Sequence, residues 1–238
     1  MSLPRFFFSA PADAHEGTLV PLDVAQARHA AVLRLHTGDP LELVLPGGPW
    51  RADLAEMGRD RAVARLIAPL DEDRETAVPL HVWLPVTAQL SLLDDLMAPL
   101  VELGAARIQL VAYRRSEFDA RKSEARMDRW RRIVASACEQ SHRTRVPELG
   151  AAVPFQALLD VELPQKWVAY ELKTDERNPA LRREPLAVTS GPEGGITDDE
   201  FKALASAGWQ PVSLGRSILR AVTAPVAMLG AVQFGWEG

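Results

Sequence analysis

Ser190-Gly191-Pro192-Glu193-Gly194-Gly195 decides how this chain is read. The apolar run before it, Leu186-Ala187-Val188-Thr189, has the length and composition of a strand. Thr197-Asp198-Asp199-Glu200 follows, with Thr197 placed to cap a helix and Glu200 three residues on. A glycine-rich turn between strand and helix gathers several backbone N–H groups with no side chains in the way. It can hold a polar ligand by main chain alone. A second run of the same character, Ser213-Leu214-Gly215-Arg216-Ser217-Ile218-Leu219-Arg220, comes soon after it. Two such loops in one small domain point to one shared ligand site.

Outward from these loops, strands and helices alternate from Val78 onward, the pattern of an α/β layer. Leu80 to Leu84, Ile108 to Val111, Trp167 to Glu171 and Leu186 to Thr189 read as strands. Leu90 to Leu103, closed by Gly104, reads as a helix, as do Glu124 to Ser141 and Thr197 to Ala207. Ile218 to Leu229 is expected to be the last helix, interrupted by Pro225. Residues 1–70 are instead β-rich. Leu41 to Leu45, Trp50 to Leu54 and Arg61 to Ile67 read as strands, with one helix over Ala25 to Leu35. The acidic run Asp71-Glu72-Asp73-Arg74-Glu75 reads as a linker, so a small domain over 1–72 and a larger one over 73–238 are expected.

Composition bounds the function. The 238 residues are 47% hydrophobic and 25% charged, ordinary for a water-soluble globular chain. No run is long and apolar enough for a membrane span, and Phe6-Phe7-Phe8 is too short for a secretory signal. A cytoplasmic protein with no membrane partner is the simple expectation. Cys138 is the one cysteine, which excludes a disulfide framework or a cysteine-based zinc site within the chain. On the apolar face of a helix it reads as a core residue rather than a nucleophile. The histidines are scattered and no His-Glu-x-x-His occurs, so no metal is expected. A P-loop and a Gly-x-Ser-x-Gly elbow are absent too. Net charge is −5, but the basic residues crowd into 107–145, from Arg107 through Arg114, Arg115 and Arg126 to Arg143 and Arg145. That run is either a phosphate-binding face or a solvated helix paired with Glu124 and Asp128.

Taken in order, several fragments resemble the RsmE-type 16S ribosomal RNA (uracil-N3)-methyltransferases of the SPOUT superfamily. They are Arg5-Phe6-Phe7, His29-Ala30-Ala31-Val32-Leu33-Arg34 with Gly38-Asp39, and Glu102-Leu103-Gly104 with Arg115-Ser116. Further on come Trp130, Arg132-Ile133, Glu139-Gln140-Ser141, Arg143 and Val146-Pro147. Gly191-Pro192-Glu193-Gly194-Gly195, Leu214-Gly215, Ile218-Leu219-Arg220 and Thr223-Ala224 complete the set. The resemblance implies a PUA-like small β-barrel followed by a SPOUT α/β domain with a deep trefoil knot. It also implies a homodimer, S-adenosylmethionine as cofactor, and 16S rRNA or the assembled small ribosomal subunit as partner. Against the family pattern, Pro99 and Thr87 stand where lysines are usual, and His142 where glycine is common. Ser217 and Ala221-Val222 replace an arginine and a Thr-Glu pair.

The residues carry definite expectations. Thr189, Gly191, Pro192, Glu193, Gly194, Gly195, Leu214, Gly215, Ile218 and Leu219 are the candidate cofactor contacts. Uracil N3 must lose its proton before it can attack a methyl group, and an arginine stabilises the resulting anion, so Arg220 is the catalytic candidate. Glu193 is a possible base or a cap for the next helix, and Glu171 a weaker candidate. Arg5, Arg34, Arg114, Arg115 and Arg143 are the expected RNA contacts. Two other readings stay open: an RNA-binding relative without methyl transfer, and a SPOUT methyltransferase for another RNA nucleotide. The apolar stretch Pro225 to Val232 fits either a two-fold interface or a helix central in one chain's core.

Overall fold

The computed structural model describes residues 3–8, 14–116, 120–170 and 178–237. Two compact units emerge, one of Met1–Glu75 with Cys138–Arg145, the other of Thr76–Ala137 with Val146–Gly238.

The first unit holds β1 (Arg5–Phe7), β2 (Leu19–Leu22), α1 (Val24–Val32), β3 (Pro40–Leu45), β4 (Gly48–Met57) and β5 (Ala62–Pro69). The strands form one sheet in the order β1-β3-β4-β5-β2. Only β1 and β3 run parallel; the other neighbours are antiparallel. The alternating side chains of β3, β4 and β5 send Leu41, Leu43, Ala52, Leu54, Ala64 and Leu66 into a core closed by Ala27 and Ala30 of α1. Asp23 caps α1 with a reciprocal Gln26 bond.

Arg5 and Arg143 were expected to meet RNA phosphates. They are instead buried, 3% and 4% exposed. Arg5 donates to Glu42 at 2.8 Å and Glu72 at 2.7 Å and to the backbone carbonyls of His142 and Arg143. Arg143 pairs with Glu75, whose carboxylate also accepts the Thr144 and Arg145 amides at 2.8 and 2.9 Å. A guanidinium enclosed in this way has no face left for a phosphate, and unpairing it would strand a buried charge. The acidic linker is therefore structural: Glu72 and Glu75 pair inside the first unit and draw the 138–145 segment to it.

The second unit holds β6 (Leu80–Pro85), α2 (Ser91–Glu102), β7 (Arg107–Ala112), α3 (Ala120–Gln140), β8 (Glu148–Pro154), α4 (Gln156–Leu159), β9 (Gln165–Ala169), β10 (Leu186–Ser190), α5 (Asp198–Ser206), β11 (Gln210–Val212) and α6 (Thr223–Glu237), the end of α3 belonging to the first. Its six strands lie in the order β11-β9-β10-β6-β7-β8, all parallel. Parallel strands covered on both faces read as continuous apolar runs, and β10 is buried at every position. On α3, Trp130, Val134 and Ala137 face inward. Asp94 of α2 takes the Trp130 indole N–H at 2.8 Å and pairs with Arg126 and Arg129. Much of the basic run is thus paired within the chain, with Arg131 on Asp128 and Arg107 beside Glu148 as further, surface pairs.

The last helix differs from expectation. Ile218 to Arg220 is loop, and α6 starts at Thr223. Pro225 lies in its first turn, where a missing N–H goes unfelt, so it does not interrupt the helix. Met228, Leu229 and Val232 are buried within their own unit, so the apolar excess of this segment is mostly core.

Candidate functional site

The two loops meet. A cavity of about 480 Å³ opens at the carboxyl ends of β9, β10 and β11, with Tyr170, Ser190 and Val212 at those strand ends. The crevice outside the carboxyl ends of parallel strands is where open α/β sheets hold ligands. Gly191, Pro192, Glu193, Gly194 and Gly195 form one wall, and Leu214, Gly215, Ile218, Leu219 and Arg220 another. Nine of the ten expected cofactor contacts therefore line one cavity.

Thr189 is the exception. It is 2% exposed and absent from the cavity wall. Its hydroxyl donates to the Trp83 carbonyl at 2.8 Å and accepts from the Tyr113 phenol at 2.8 Å. Burial pushes the Tyr113 phenol pKa far up, so it keeps the proton it donates. Thr189 sits one residue before the loop and faces the other side of the sheet, as strand alternation requires.

Two glycines of the first wall are required by the backbone and by a close approach. Gly195 has φ +74, the left-handed region that side chains avoid, and its N–H closes a turn on the Pro192 carbonyl at 2.9 Å. At Gly194 a Cβ would stand 2.9 Å from the Arg115 Cβ. The segment after β7 therefore packs directly on the loop, and Arg115 donates to the Gly194 carbonyl at 2.9 Å. The helix after the loop is capped by Thr197 and Glu200 in a reciprocal box. Glu193 takes no part in that cap; it is exposed on the cavity wall.

The second wall ends where α6 begins: the Arg220 carbonyl accepts the Thr223 and Ala224 amides at 2.9 and 3.0 Å. This fixes the backbone from which the exposed Arg220 side chain leaves. Arg115 and Arg216 also line the cavity, so three arginines face one acidic group, Glu193. That balance suits an anionic or electron-rich ligand. Of the expected RNA contacts, Arg34 and Arg114 are exposed and are not among the residues that line the cavity, whereas Arg115 is. Glu171 lies outside the described residues. Among the described residues no cluster of His, Cys, Asp or Glu is arranged to hold a metal ion, and no helix is long and apolar enough to cross a membrane. Burial pushes the Cys138 thiol up to about 12, which keeps it from acting as a nucleophile.

Sequence reading missed Leu92, Tyr170 and Ser190 as parts of the wall. Tyr170 lies flat on Phe201 of α5, ring centroids 3.9 Å apart and 7° from parallel. Ser190 is the first residue of the glycine loop, and that position is its signal in the sequence.

Residues 74–233 match the family model of the RNA methyltransferase domain. Over 234 residues, 94% of this chain and 75% of the relative, the chain is 34% identical to the ribosomal RNA small subunit methyltransferase E of Synechocystis sp.. The chain belongs to the ribosomal RNA small subunit methyltransferase E family. The crystal structure of the Neisseria gonorrhoeae member, bound to S-adenosyl methionine, superposes with a TM-score of 0.88 at 30% identity, over 99% of this chain and 98% of that one. A putative methyltransferase from Legionella pneumophila, solved with bound cofactor SAM, gives 0.89 at 25% identity over 98% of both chains. With the family comes its fold class, a PUA-like β unit and a SPOUT α/β domain. The cavity built by the two glycine loops thus lies in the domain that the family model matches.

Proposed function

We propose that this chain transfers the methyl group of S-adenosylmethionine to N3 of a uridine in 16S rRNA. The observation that carries the proposal is the convergence of both glycine loops on one cavity at the carboxyl edge of the parallel sheet. The residues present fit the cofactor. The first wall offers backbone at Gly191, Gly194 and Gly195, the second at Leu214, Gly215, Ile218 and Leu219, and Pro192 and Glu193 complete the cradle. When bound, the cofactor supplies a methyl group on a positively charged sulfur, chemistry that calls for no metal. The protein's task is then alignment of the acceptor and exclusion of water. Arg220, held at the mouth of the cavity by the α6 amides, stabilises the uracil anion left when N3 gives up its proton.

The reading extends to the rest of the chain. The 1–72 domain contacts RNA through the exposed Arg34, and the exposed Arg114 of the larger domain neutralises a further phosphate. The 73–238 domain carries the family's trefoil knot and pairs with a second copy in the cytoplasm. Support for pairing comes from Ile218 and Phe234, large apolar side chains left 82% and 83% exposed. The deciding experiment incubates purified protein and labelled S-adenosylmethionine with small subunits from a strain lacking its homologue. Label recovered as N3-methyluridine is the expected result. Label in another nucleoside, or none with an intact 16S substrate, overturns the proposal.

A further inference from the structure

Four buried side-chain nitrogen or oxygen atoms among the described residues have no hydrogen-bond partner: Trp83 Nε1, Arg107 Nε, Trp167 Nε1 and Ser190 Oγ. Only one of these residues, Ser190, lines the cavity. It is 2% exposed and closes β10 where the first glycine loop begins. A buried hydroxyl left unpaired is costly, and native structures nearly always satisfy such groups. Its neighbour Thr189 illustrates the rule, with its hydroxyl bonded to both Tyr113 and the Trp83 carbonyl. No such arrangement serves Ser190, because alternation along the strand puts it on the opposite face.

We infer that the Ser190 hydroxyl is completed by the ligand: it hydrogen-bonds a polar group of the bound S-adenosylmethionine at the floor of the cavity. The inference rests on the cofactor reading above and adds a buried side-chain hydroxyl to the backbone that the two glycine loops offer. The residue's placement favours such a role. It is paired with Ala169 of β9, and the residue before it is paired with Trp83 of β6, so its position is fixed before the ligand arrives and little ordering is required on binding.

The inference makes two changes of opposite sign depend on one atom. Ser190→Ala removes the hydroxyl and adds no bulk. In the unliganded protein the substitution relieves an unsatisfied group, so the melting temperature rises by about 2 °C. In the liganded protein it deletes a hydrogen bond, so the Kd for S-adenosylmethionine measured by calorimetry rises about tenfold, which is about 1.4 kcal/mol. Ser190→Cys, nearly the same size with a weak donor, falls between the two in affinity. Wild-type affinity in Ser190→Ala overturns the inference and leaves the cofactor reading intact. A lower melting temperature without ligand shows that the hydroxyl already had a partner, and overturns it too. If the wild-type chain itself binds no S-adenosylmethionine, the cofactor reading falls and this inference falls with it.

Discussion

Gly194→Ala tests whether the glycine loop is shaped by the segment after β7. The added Cβ would stand 2.9 Å from the Arg115 Cβ, 3.3 Å from the Arg115 carbonyl oxygen and 3.4 Å from its Cδ. Carbon atoms rest about 3.5–4.0 Å apart, so the two segments must part by roughly 0.6 Å or more. The far side cannot yield cheaply. Arg114 donates its amide to Glu200 at 2.7 Å, and Tyr113 donates its amide to the Ser116 hydroxyl at 3.1 Å. Overpacking of this kind costs about 1–3 kcal/mol. The melting temperature should therefore fall by several degrees, at about 2–4 °C per kcal/mol for a chain of this size. Ligand affinity should fall at least tenfold, since the displaced loop is the cavity wall. The assay is a double-mutant cycle with Arg115→Gly, read by thermal melting and by calorimetry with S-adenosylmethionine. Arg115→Gly removes the Cβ that Gly194→Ala strikes, so the pair should be less damaging than the sum of the singles by about 1–2 kcal/mol. Additive losses would refute the reasoning, because they would mean the two backbones never touch. Gly215→Ala is a useful contrast. Its φ is +121 with nothing within 4 Å of the added Cβ, so backbone strain alone should act there.

The remaining expectations concern helix ends and pH. Arg34 has φ +58 just past the end of α1, and Arg34→Gly should raise stability by about 0.5–1 kcal/mol, seen as a higher melting temperature. A fall would mean that the Arg34 side chain holds more than its backbone loses. Burial pushes the Glu139 carboxyl up to about 7, with His29 Nδ1 3.3 Å from its oxygen. A raised carboxyl pKa means that the folded state holds the proton more tightly than the unfolded chain. The associated stability is complete below the ordinary carboxylate range and is lost as pH rises through about 7. Partial solvent access and the neighbouring imidazole leave an effect of about 1 kcal/mol. Melting followed from pH 5 to 8 should show this loss in the wild-type chain and a flatter profile in Glu139→Gln. Parallel profiles would remove Glu139 as the cause.

Loops with unusual residues were legible where the chemistry is local. The strand, turn and capped helix around Gly191 to Gly195 each follow from a short pattern, and so did the joining of two loops in one site. What could not be read was the pairing of distant charges. Arg5 and Arg143 look like any exposed arginine in the sequence. Their burial depends on Glu42, Glu72 and Glu75, which no local rule connects to them. Short strands with weak patterns escaped for a related reason. β11 is three residues, Gln210–Val212, one of them a proline tolerated at the sheet's edge, and only its pairing with β9 makes it a strand. Ile218-Leu219 looks in the sequence like the first turn of an apolar helix, whereas it is cavity wall, with Ile218 82% exposed, and α6 starts only at Thr223.

Departures from the family pattern separate by physical cause. His142 has φ +56 immediately after α3, its amide on the Glu139 carbonyl and the Arg143 amide on the Cys138 carbonyl at 3.0 Å. That is the closing geometry of a helix in which the residue past the cap turns left-handed. Gly104 and Gly208 occupy the same position after α2 and α5, with φ +83 and +85. Glycine is therefore the easy solution at 142, and histidine accepts backbone strain while its ring comes 3.6 Å from Glu42. Ser217 and Val222 are different: both line the cavity, where no backbone requirement decides the side chain. Their effect must be on what the cavity accepts. The frame around them does not depend on either residue. Glu200, 7% exposed, gives one carboxylate oxygen to the Thr197 amide and hydroxyl at 2.9 and 2.7 Å and the other to the Arg114 amide. One buried carboxylate thus ties the helix after the first loop to the segment that carries Arg115. Arg115 in turn holds Gly194. Substitutions at Ser217 and Val222 can therefore retune the ligand's surroundings while the first glycine loop stays anchored from the other side.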